Sequence, residues 1–380
     1  MRPRRWLLKC CVVALFILYS ATAAPSGCPQ YHWAVQHAAW QSAEGANASR
    51  LTWVTLKKSP GGWGDRMRGS LLALRVAAAN NRTLYLQWGG RHALAAYLEP
   101  ATFDWRPPRN SCHSDKCYAS RGAKLVIHRN RGRKASFDKA LAAALATGRD
   151  IVVDERYSAS FSLPLSGAAA MKQPTDYKCA WAVLYAPTAE LVARGEAELA
   201  ALNMSRPYAA VHLRLGGLVG EPKALGRLKG TPQAPSCPLA LAHAATYCAA
   251  ALRDEGNSRD GLQSSSGHRS TVLVITDNTS LRGKLARGLV DGTTGPNYSA
   301  AHVALAHGQK QAGRRWDAWL DLYMLANAAQ LLSSHSGFSN MAAWWSNALT
   351  RDVSTCIRAD TRFEGVCERE RSKSGSKRKP

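Results

Sequence analysis

Short apolar runs alternate with longer helical stretches along most of this chain, and this alternation is the feature that most constrains its fold. The runs at 51–56, 83–88 and 208–215 have the length and composition of buried strands, and the stretch at 66–79 predicts a helix. Strands separated by helices favour parallel sheets built from βαβ units. We therefore predict an α/β protein, and 380 residues are enough for one large or two medium-sized domains.

The predicted elements fall into two series, separated by a break in the pattern near 203–208. The first series has strands at 51–56, 83–88, 124–128 and 150–154, with helices at 66–79 and 136–147. The second has strands at 208–215, 271–276 and 330–333, with helices at 237–253, 281–289 and 316–329. Two such series predict two Rossmann-like domains with ligands at the carboxyl ends of the strands. We assign them to 25–205 and 206–350, followed by an extension at 351–380 with a basic tail.

The N-terminal segment 1–24 has the pattern of a secretory signal. Basic residues precede an apolar run at 10–19, and Ala21-Thr22-Ala23 has the small side chains of a cleavage site. The run is short beside the roughly 20 apolar residues of a membrane span, yet a short signal anchor stays open. Either form places the chain in the lumen of the Golgi or ER, as a type II membrane protein or as a cleaved, soluble or secreted one.

Cysteine usage agrees with an oxidising compartment. The chain has ten cysteines, and all but Cys10 and Cys11 follow the signal segment, which leaves an even number for disulfides. Spacing suggests local pairs within 112–117 and within 356–367 and leaves the others unassigned. A zinc site is the alternative role for these cysteines, but the sequence contains no Cys-x-x-Cys pair to support one. Glycosylation sequons begin at Asn47, Asn81, Asn203, Asn278 and Asn297.

Net charge narrows the class of partner. The chain carries +24 at pH 7, with basic residues scattered outside the two termini. We expect no nucleic-acid partner, because no RNA- or DNA-binding motif accompanies this charge. An anionic small ligand, such as a nucleotide diphosphate, suits a basic cleft.

A glycine-rich segment at 61–69 lies between the first predicted strand and helix. Glycines permit a tight turn and close approach of a ligand to the backbone, and arginines supply charge for an anion. A plain strand-to-helix turn is the alternative. The candidate residues here are Gly62, Gly64, Asp65 and Arg66.

His212 and Arg214 stand at the end of the strand predicted at 208–215. Side chains two residues apart on a strand point to the same side, so both would face the mouth of the sheet. There an arginine can bind a diphosphate and a histidine can donate to it. The alternative is a packed histidine beside a salt-bridged arginine.

A serine-rich turn at 334–339 connects the strand predicted at 330–333 to a helical pattern that resumes at Met341. Such a turn directs backbone N–H groups and hydroxyls at one point, which suits a phosphate. Plain helix capping is the alternative. The candidate phosphate contacts are Ser334, Ser336, Gly337, Phe338 and Ser339.

Carboxylates at two places in the sequence complete the candidate set. Asp277 ends a predicted strand, where it can accept from a ribose hydroxyl or a base edge; a cap of the next helix is the favoured interpretation of this residue by itself. Asp317 and Asp321 lie one helical turn apart, where they either bind ligand or pair with Arg314 and Arg315.

Taken in order, these motifs resemble the GDP-fucose-dependent fucosyltransferases, the superfamily of α1,6-, α1,2- and protein O-fucosyltransferases. The similarity covers 55–90 and 205–345, and includes Asn81-Arg82-Thr83-Leu84 with the glycine-rich segment. The resemblance implies a GT-B fold of two Rossmann-like domains, with the nucleotide bound mainly to the C-terminal one. It implies donor binding by His212 and Arg214, guanosine contact by Asp321, and phosphate contact by the turn at 336–339.

The chain departs from the family pattern after Arg214. Many α1,6 and α1,2 relatives continue with a second Arg and an Asp, whereas Leu215 and Gly217 stand here. Protein O-fucosyltransferases often keep only the first Arg. Glu221 follows close to where α1,6 relatives carry their general base, one residue short of their spacing; a solvent-facing loop glutamate is the alternative.

The resemblance implies an inverting transfer of fucose from GDP-fucose to a hydroxyl of a glycan or glycoprotein. Arg214 would stabilise the departing diphosphate, and Glu221 would act as the base. No Asp-x-Asp triplet is present, so we expect no metal and no cofactor. The alternatives are another nucleotide sugar, or a catalytically inactive lumenal glycan-binding protein on the same fold.

Overall fold

The computed structural model describes most of both predicted series. The described residues are 28–30, 32–43, 48–55, 63–88, 94–108, 123–128, 134–155, 174–214, 248, 271–298, 312–334, 336–346 and 348–353. The predictions for 1–24, for the loop at 254–270, for most of the helix at 237–253 and for the tail lie outside these residues.

The first compact unit is built on a parallel sheet of four strands in the order β2-β1-β5-β4. A short pair, β3 and β6, accompanies it. Its elements, in chain order, are α1 (Trp33–Ala43), β1 (Arg50–Thr55), α2 (Trp63–Ala79), β2 (Thr83–Trp88), a 3₁₀ turn (Leu94–Ala96), β3 (Leu98–Pro100), β4 (Lys124–His128), α3 (Lys134–Leu145), β5 (Ile151–Glu155), α4 (Pro174–Leu184) and β6 (Tyr185–Pro187).

The second unit is built on a parallel sheet of five strands in the order β11-β10-β7-β8-β9. Its elements are α5 (Ala189–Ala201), β7 (Ala209–Leu213), β8 (Val272–Thr276), α6 (Thr279–Ala286), β9 (Thr293–Thr294), α7 (Ala312–Ala326), β10 (Gln330–Ser333), α8 (Gly337–Trp345) and β11 (Leu349–Asp352). Both sheets are parallel, so the predicted α/β class with two Rossmann-like sheets is confirmed.

The predicted strands agree with the structure because buried strands of a parallel sheet are short apolar runs. Every residue of β7 and of β8 is buried, as expected for a parallel sheet with helices on both sides. The strands predicted at 83–88, 124–128 and 330–333 have the predicted bounds. Helices α1, α4 and α5 and the short strands β3, β6, β9 and β11 were not predicted.

The two compact units divide at 186/187, with the segment Pro60–Met67 grouped with the second unit. The sequence interpretation places the domain boundary at 205/206. The difference is α5, which packs on α7 of the second unit. The Tyr323 hydroxyl donates to Glu196, which also pairs with Arg206 at 2.6 Å, and the guanidinium of Arg194 lies 4.2 Å from the ring centre of Trp316.

A disulfide joins Cys28 to Cys179 of α4 within the first unit. Beside it, the Trp33 indole donates to Asp176 at 2.8 Å and so ties α1 to α4. Cys248 is disulfide-bonded as well. Local pairing at 112–117 and 356–367 lies outside the described residues and stays a prediction.

Replacing both Cys28 and Cys179 by serine is expected to lower the free energy of unfolding by about 2–5 kcal/mol, because the bond closes a long loop, of sequence separation 151. Urea unfolding of the mature protein measures the change. In the wild type, neither thiol should react with an alkylating reagent before reduction. An unchanged unfolding midpoint, or native labelling at these two positions, would contradict the bond.

Within the described ranges, no helix combines the length and apolar character needed to cross a membrane. The N-terminal segment at 1–24 lies outside those ranges, and its role as signal or anchor stays a prediction.

Candidate functional site

The order of strands in the second sheet locates its ligand-binding edge. From β7 the chain moves to β8 and β9 on one side, and then to β10 and β11 on the other. The direction of winding therefore reverses between β7 and β10, and ligands bind such open sheets outside the carboxyl ends of the strands at this reversal. Arg214 directly follows β7, and Ser334 directly follows β10.

The two strand ends are joined through one hydroxyl. Ser334 Oγ accepts from the Arg214 backbone N–H at 3.0 Å and lies 3.1 Å from Nδ1 of His212. This single hydroxyl therefore contacts the backbone of one residue after β7 and the ring of another within it. The structure thus brings together three of the residues predicted for donor binding.

His212 is a neutral, buried support of this edge. Burial, together with the positive charges of Arg214 and Arg282, lowers its pKa to about 3. Its side chain is almost fully buried, and its ring lies 5.4 Å from the ring of Phe338. At neutral pH the imidazole therefore adds no charge to the site, and it orients the serine-rich turn by hydrogen bonding and packing.

The serine-rich turn is a capped helix start. Ser336 is the N-cap of α8: its hydroxyl accepts from the Ser339 N–H at 3.0 Å, and the Ser339 hydroxyl accepts from the Ser336 N–H at 3.1 Å. The Ser336 hydroxyl also lies 3.4 Å from His212 Nδ1. The capping alternative is therefore confirmed for these two serines. An N-terminus of this kind presents first-turn N–H groups, here those of Gly337 and Phe338, to an anion.

Gly64 packs against the start of α8 within the second unit. A Cβ at position 64 would lie 2.7 Å from Gly337 Cα and closer still to the Gly337 carbonyl group. The sequence places Gly64, Asp65 and Arg66 in a turn or at its end, but α2 begins at Trp63, so this placement is wrong for Gly64 and Asp65. Gly64 permits close backbone approach, as predicted, but the neighbour that it approaches is α8.

Gly64→Ala is expected to lower the free energy of unfolding by about 1–3 kcal/mol, because the new methyl group overlaps backbone that cannot swing aside. Thermal melts measure the loss. Gly283→Ala is the matched control: it lies in helix α6 and its Cβ would meet only the Arg287 side chain, at 3.5 Å. It should be neutral or stabilising. Equal melting temperatures for the two variants would refute this packing.

Asp277 pairs with Arg214. Arg214 Nη1 lies 3.1 Å from Asp277 Oδ2, and the two side chains are 22% and 9% exposed. The favoured expectation that Asp277 caps the next helix is wrong: Asn278 is the N-cap of α6, and its side chain accepts from the Leu281 N–H at 2.9 Å. The carboxylate of Asp277 stands one residue earlier, where it reaches across to the end of β7.

Asp321 is buried and pairs with Arg282, which lies on α6. Arg282 Nη1 and Nη2 donate to the two carboxylate oxygens of Asp321 at 3.2 and 2.6 Å, and the Tyr298 hydroxyl donates to Asp321 Oδ1 at 2.9 Å. Burial and the adjacent carboxylate raise the pKa of Tyr298, so it stays a donor. The sequence suggested Arg314 and Arg315 as partners and missed Arg282, which is distant along the chain.

The structure does not describe the side chains of three residues that the sequence proposed for the site. Gly62 and Glu221 lie outside the described residues, and Asp65 is described only as part of the first turn of α2. Arg66, in the same turn, is buried. Across the described residues, no group of three or more His, Cys, Asp or Glu side chains is arranged to hold a metal ion.

Comparison with solved structures finds similar folds among fucosyltransferases. A mutant of FUT1 from Arabidopsis thaliana in complex with GDP has a TM-score of 0.49 at 12% identity, over 88% of this chain and 78% of that one. NodZ from Bradyrhizobium has a TM-score of 0.44 at 15% identity, over 78% and 92%. POFUT1 in complex with GDP-fucose has a TM-score of 0.40 at 12% identity, over 81% and 99%. No protein-family model and no curated protein matches this chain.

Proposed function

We propose that this protein is an inverting glycosyltransferase that transfers fucose from GDP-fucose to a hydroxyl of a glycan or glycoprotein. The observation that carries the proposal is the convergence of Arg214 and the N-terminus of α8 at the reversal point between β7 and β10. The Arg214 backbone N–H donates to Ser334, two residues before the N-cap of α8, and both a guanidinium and first-turn helix N–H groups are suited to binding a diphosphate. The choice of guanosine and of fucose comes from the sequence resemblance.

The same groups suit the chemistry of the donor. Breaking the bond between fucose and the diphosphate places new negative charge on the leaving β-phosphate. Arg214 and the N–H groups of Gly337 and Phe338 would stabilise that charge as it develops. The pairing of Arg214 with Asp277 supports the proposal because it fixes a long, flexible side chain before the donor arrives.

The acceptor hydroxyl must lose a proton as the new glycosidic bond forms. Glu221 is the proposed base, since it follows Arg214 on the segment that leaves the carboxyl end of β7. Attack by the deprotonated oxygen on the face opposite the diphosphate would invert the anomeric carbon.

Arginine and helix N–H groups supply the positive field that a metal ion supplies in other glycosyltransferases. We therefore expect transfer to continue at an unchanged rate in EDTA. Activity lost on chelation and restored by Mn²⁺ would contradict this expectation. The proposed compartment is the lumen of the Golgi or ER, reached through the segment at 1–24.

The function is tested by incubating the purified lumenal part, residues 25–380, with GDP-fucose on an array of glycans and peptides. Fucose incorporated into one acceptor class supports the proposal and names the acceptor. Incorporation of a different sugar from another nucleotide sugar would show that GDP-fucose is not the donor. Glycan binding without any transfer or GDP binding would instead support an inactive glycan-binding protein, which the departures at Leu215 and Gly217 favour.

A further inference from the structure

Arg282 contacts the end of β8 as well as Asp321. Its Nε and Nη2 donate to the Thr276 carbonyl oxygen at 3.1 and 2.8 Å, while Nη1 and Nη2 reach Asp321. The arginine is almost fully buried, with 3% of its surface exposed. One side chain therefore joins α6, α7 and the carboxyl end of β8.

The contact of Arg282 with the Thr276 carbonyl also affects the next residue, Asp277. This carbonyl belongs to the same planar peptide group as the Asp277 N–H, so its direction fixes the orientation of the backbone at Asp277. Asp277 in turn contacts the guanidinium of Arg214. A rotation of this peptide would move the carboxylate away from Arg214.

Tyr298, which lies in a neighbouring turn, contacts both Arg282 and Asp321. Its ring centre lies 5.3 Å from the Arg282 guanidinium, and its hydroxyl donates to Asp321. Gly295 lets this turn pass close to β8, since a Cβ there would lie 2.8 Å from the Val274 carbonyl oxygen.

We propose that Arg282, held by Asp321 and Tyr298, is a positioning residue that sets Asp277 and through it the diphosphate-binding arginine, Arg214. The inference rests on the proposed function and deepens it. Asp321 then acts through Arg282 on the backbone of β8, in place of the direct guanosine contact that the sequence resemblance implies.

Arg282→Lys keeps the positive charge but removes the planar fork that contacts both Thr276 and Asp321. In the full-length protein, calorimetry should show GDP binding weakened about tenfold or more. In an Asp277→Asn background, the same change should add little further loss, because residues that act through one another are not additive. Additive losses would indicate a separate, direct contact and overturn the proposal.

Arg82→Lys is the matched control. Arg82 is a buried arginine of the first unit that likewise donates to two backbone carbonyls, those of Arg149 at 2.6 Å and Leu145 at 3.0 Å. Its variant should lower the melting temperature and leave the affinity for GDP unchanged. Should Arg282→Lys behave in the same way, its role would be structural and the proposal would fail.

Tyr298→Phe extends the test if Arg282→Lys does not fold, since it removes a single hydroxyl. A crystal structure of the Tyr298→Phe variant tests the positioning role without any ligand, so its result does not depend on the proposed function. Displacement of the Asp277 carboxylate from its 3.1 Å contact with Arg214 supports positioning, and an unchanged contact overturns it. Absence of GDP binding by the wild type would count against the proposed function only.

Discussion

Arg214→Ala is expected to lower the rate of fucosyl transfer by about 10²–10³-fold, because the variant loses the cation that we propose faces the departing diphosphate. Arg214 follows β7 at the reversal point, where its backbone is held by Ser334 and its guanidinium by Asp277. The loss should appear in kcat as well as in KM, since the leaving-group charge is greatest in the transition state. Single-turnover assays with saturating GDP-fucose measure it.

Arg106→Ala is the control for that substitution. Arg106 pairs with Asp104 at 2.7 Å, and both side chains are more than half exposed, so the pair contributes little to stability. This variant should retain wild-type turnover. Arg214→Lys should fall between wild type and alanine, because an ammonium keeps the charge without the bidentate geometry. Near wild-type turnover by a folded Arg214→Ala protein would contradict the assignment.

Glu221→Gln is expected to lower the transfer rate by about 10²–10⁴-fold, since an amide cannot accept the acceptor proton. Affinity for GDP should persist, because the proposed base faces the acceptor and not the nucleotide. The measurement pairs a transfer assay with a GDP titration of the same protein.

Glu190→Gln, the same change at an exposed glutamate of α5, should leave both quantities unaltered. A Glu221→Gln protein with unchanged transfer activity would show that Glu221 is a solvent-facing loop residue and not the base. The search for the base would then move to other carboxylates, with Asp65 tested first.

The strands of the sheets were predicted well because a strand buried on both faces is a continuous apolar run in the sequence. Strands such as β8 are continuous apolar runs, and a run of this kind can be recognised without knowing its neighbours. Helix α1 was missed because its polar and aromatic residues do not form a regular apolar stripe, and the residues that bury it lie far along the chain. Asp176 of α4, which accepts from Trp33, is one of them.

The same distinction holds at the candidate site. His212, Arg214 and the serine-rich turn were predicted because each lies at, or directly after, the end of a strand whose position the pattern fixes. The pairings among side chains depend on elements distant in the chain and leave no local signal. Arg282 and Asp321 are the clearest example: neither spacing nor composition connects a residue of α6 to one of α7.

The most direct test of the central claim is a calorimetric titration of the wild-type protein and Arg214→Ala with GDP, with UDP as the comparison ligand. We expect saturable GDP binding by the wild type, weaker binding of UDP, and a marked loss of GDP affinity in Arg214→Ala. Absence of GDP binding by the wild type, or an affinity unchanged by Arg214→Ala, would contradict a nucleotide site between β7 and β10.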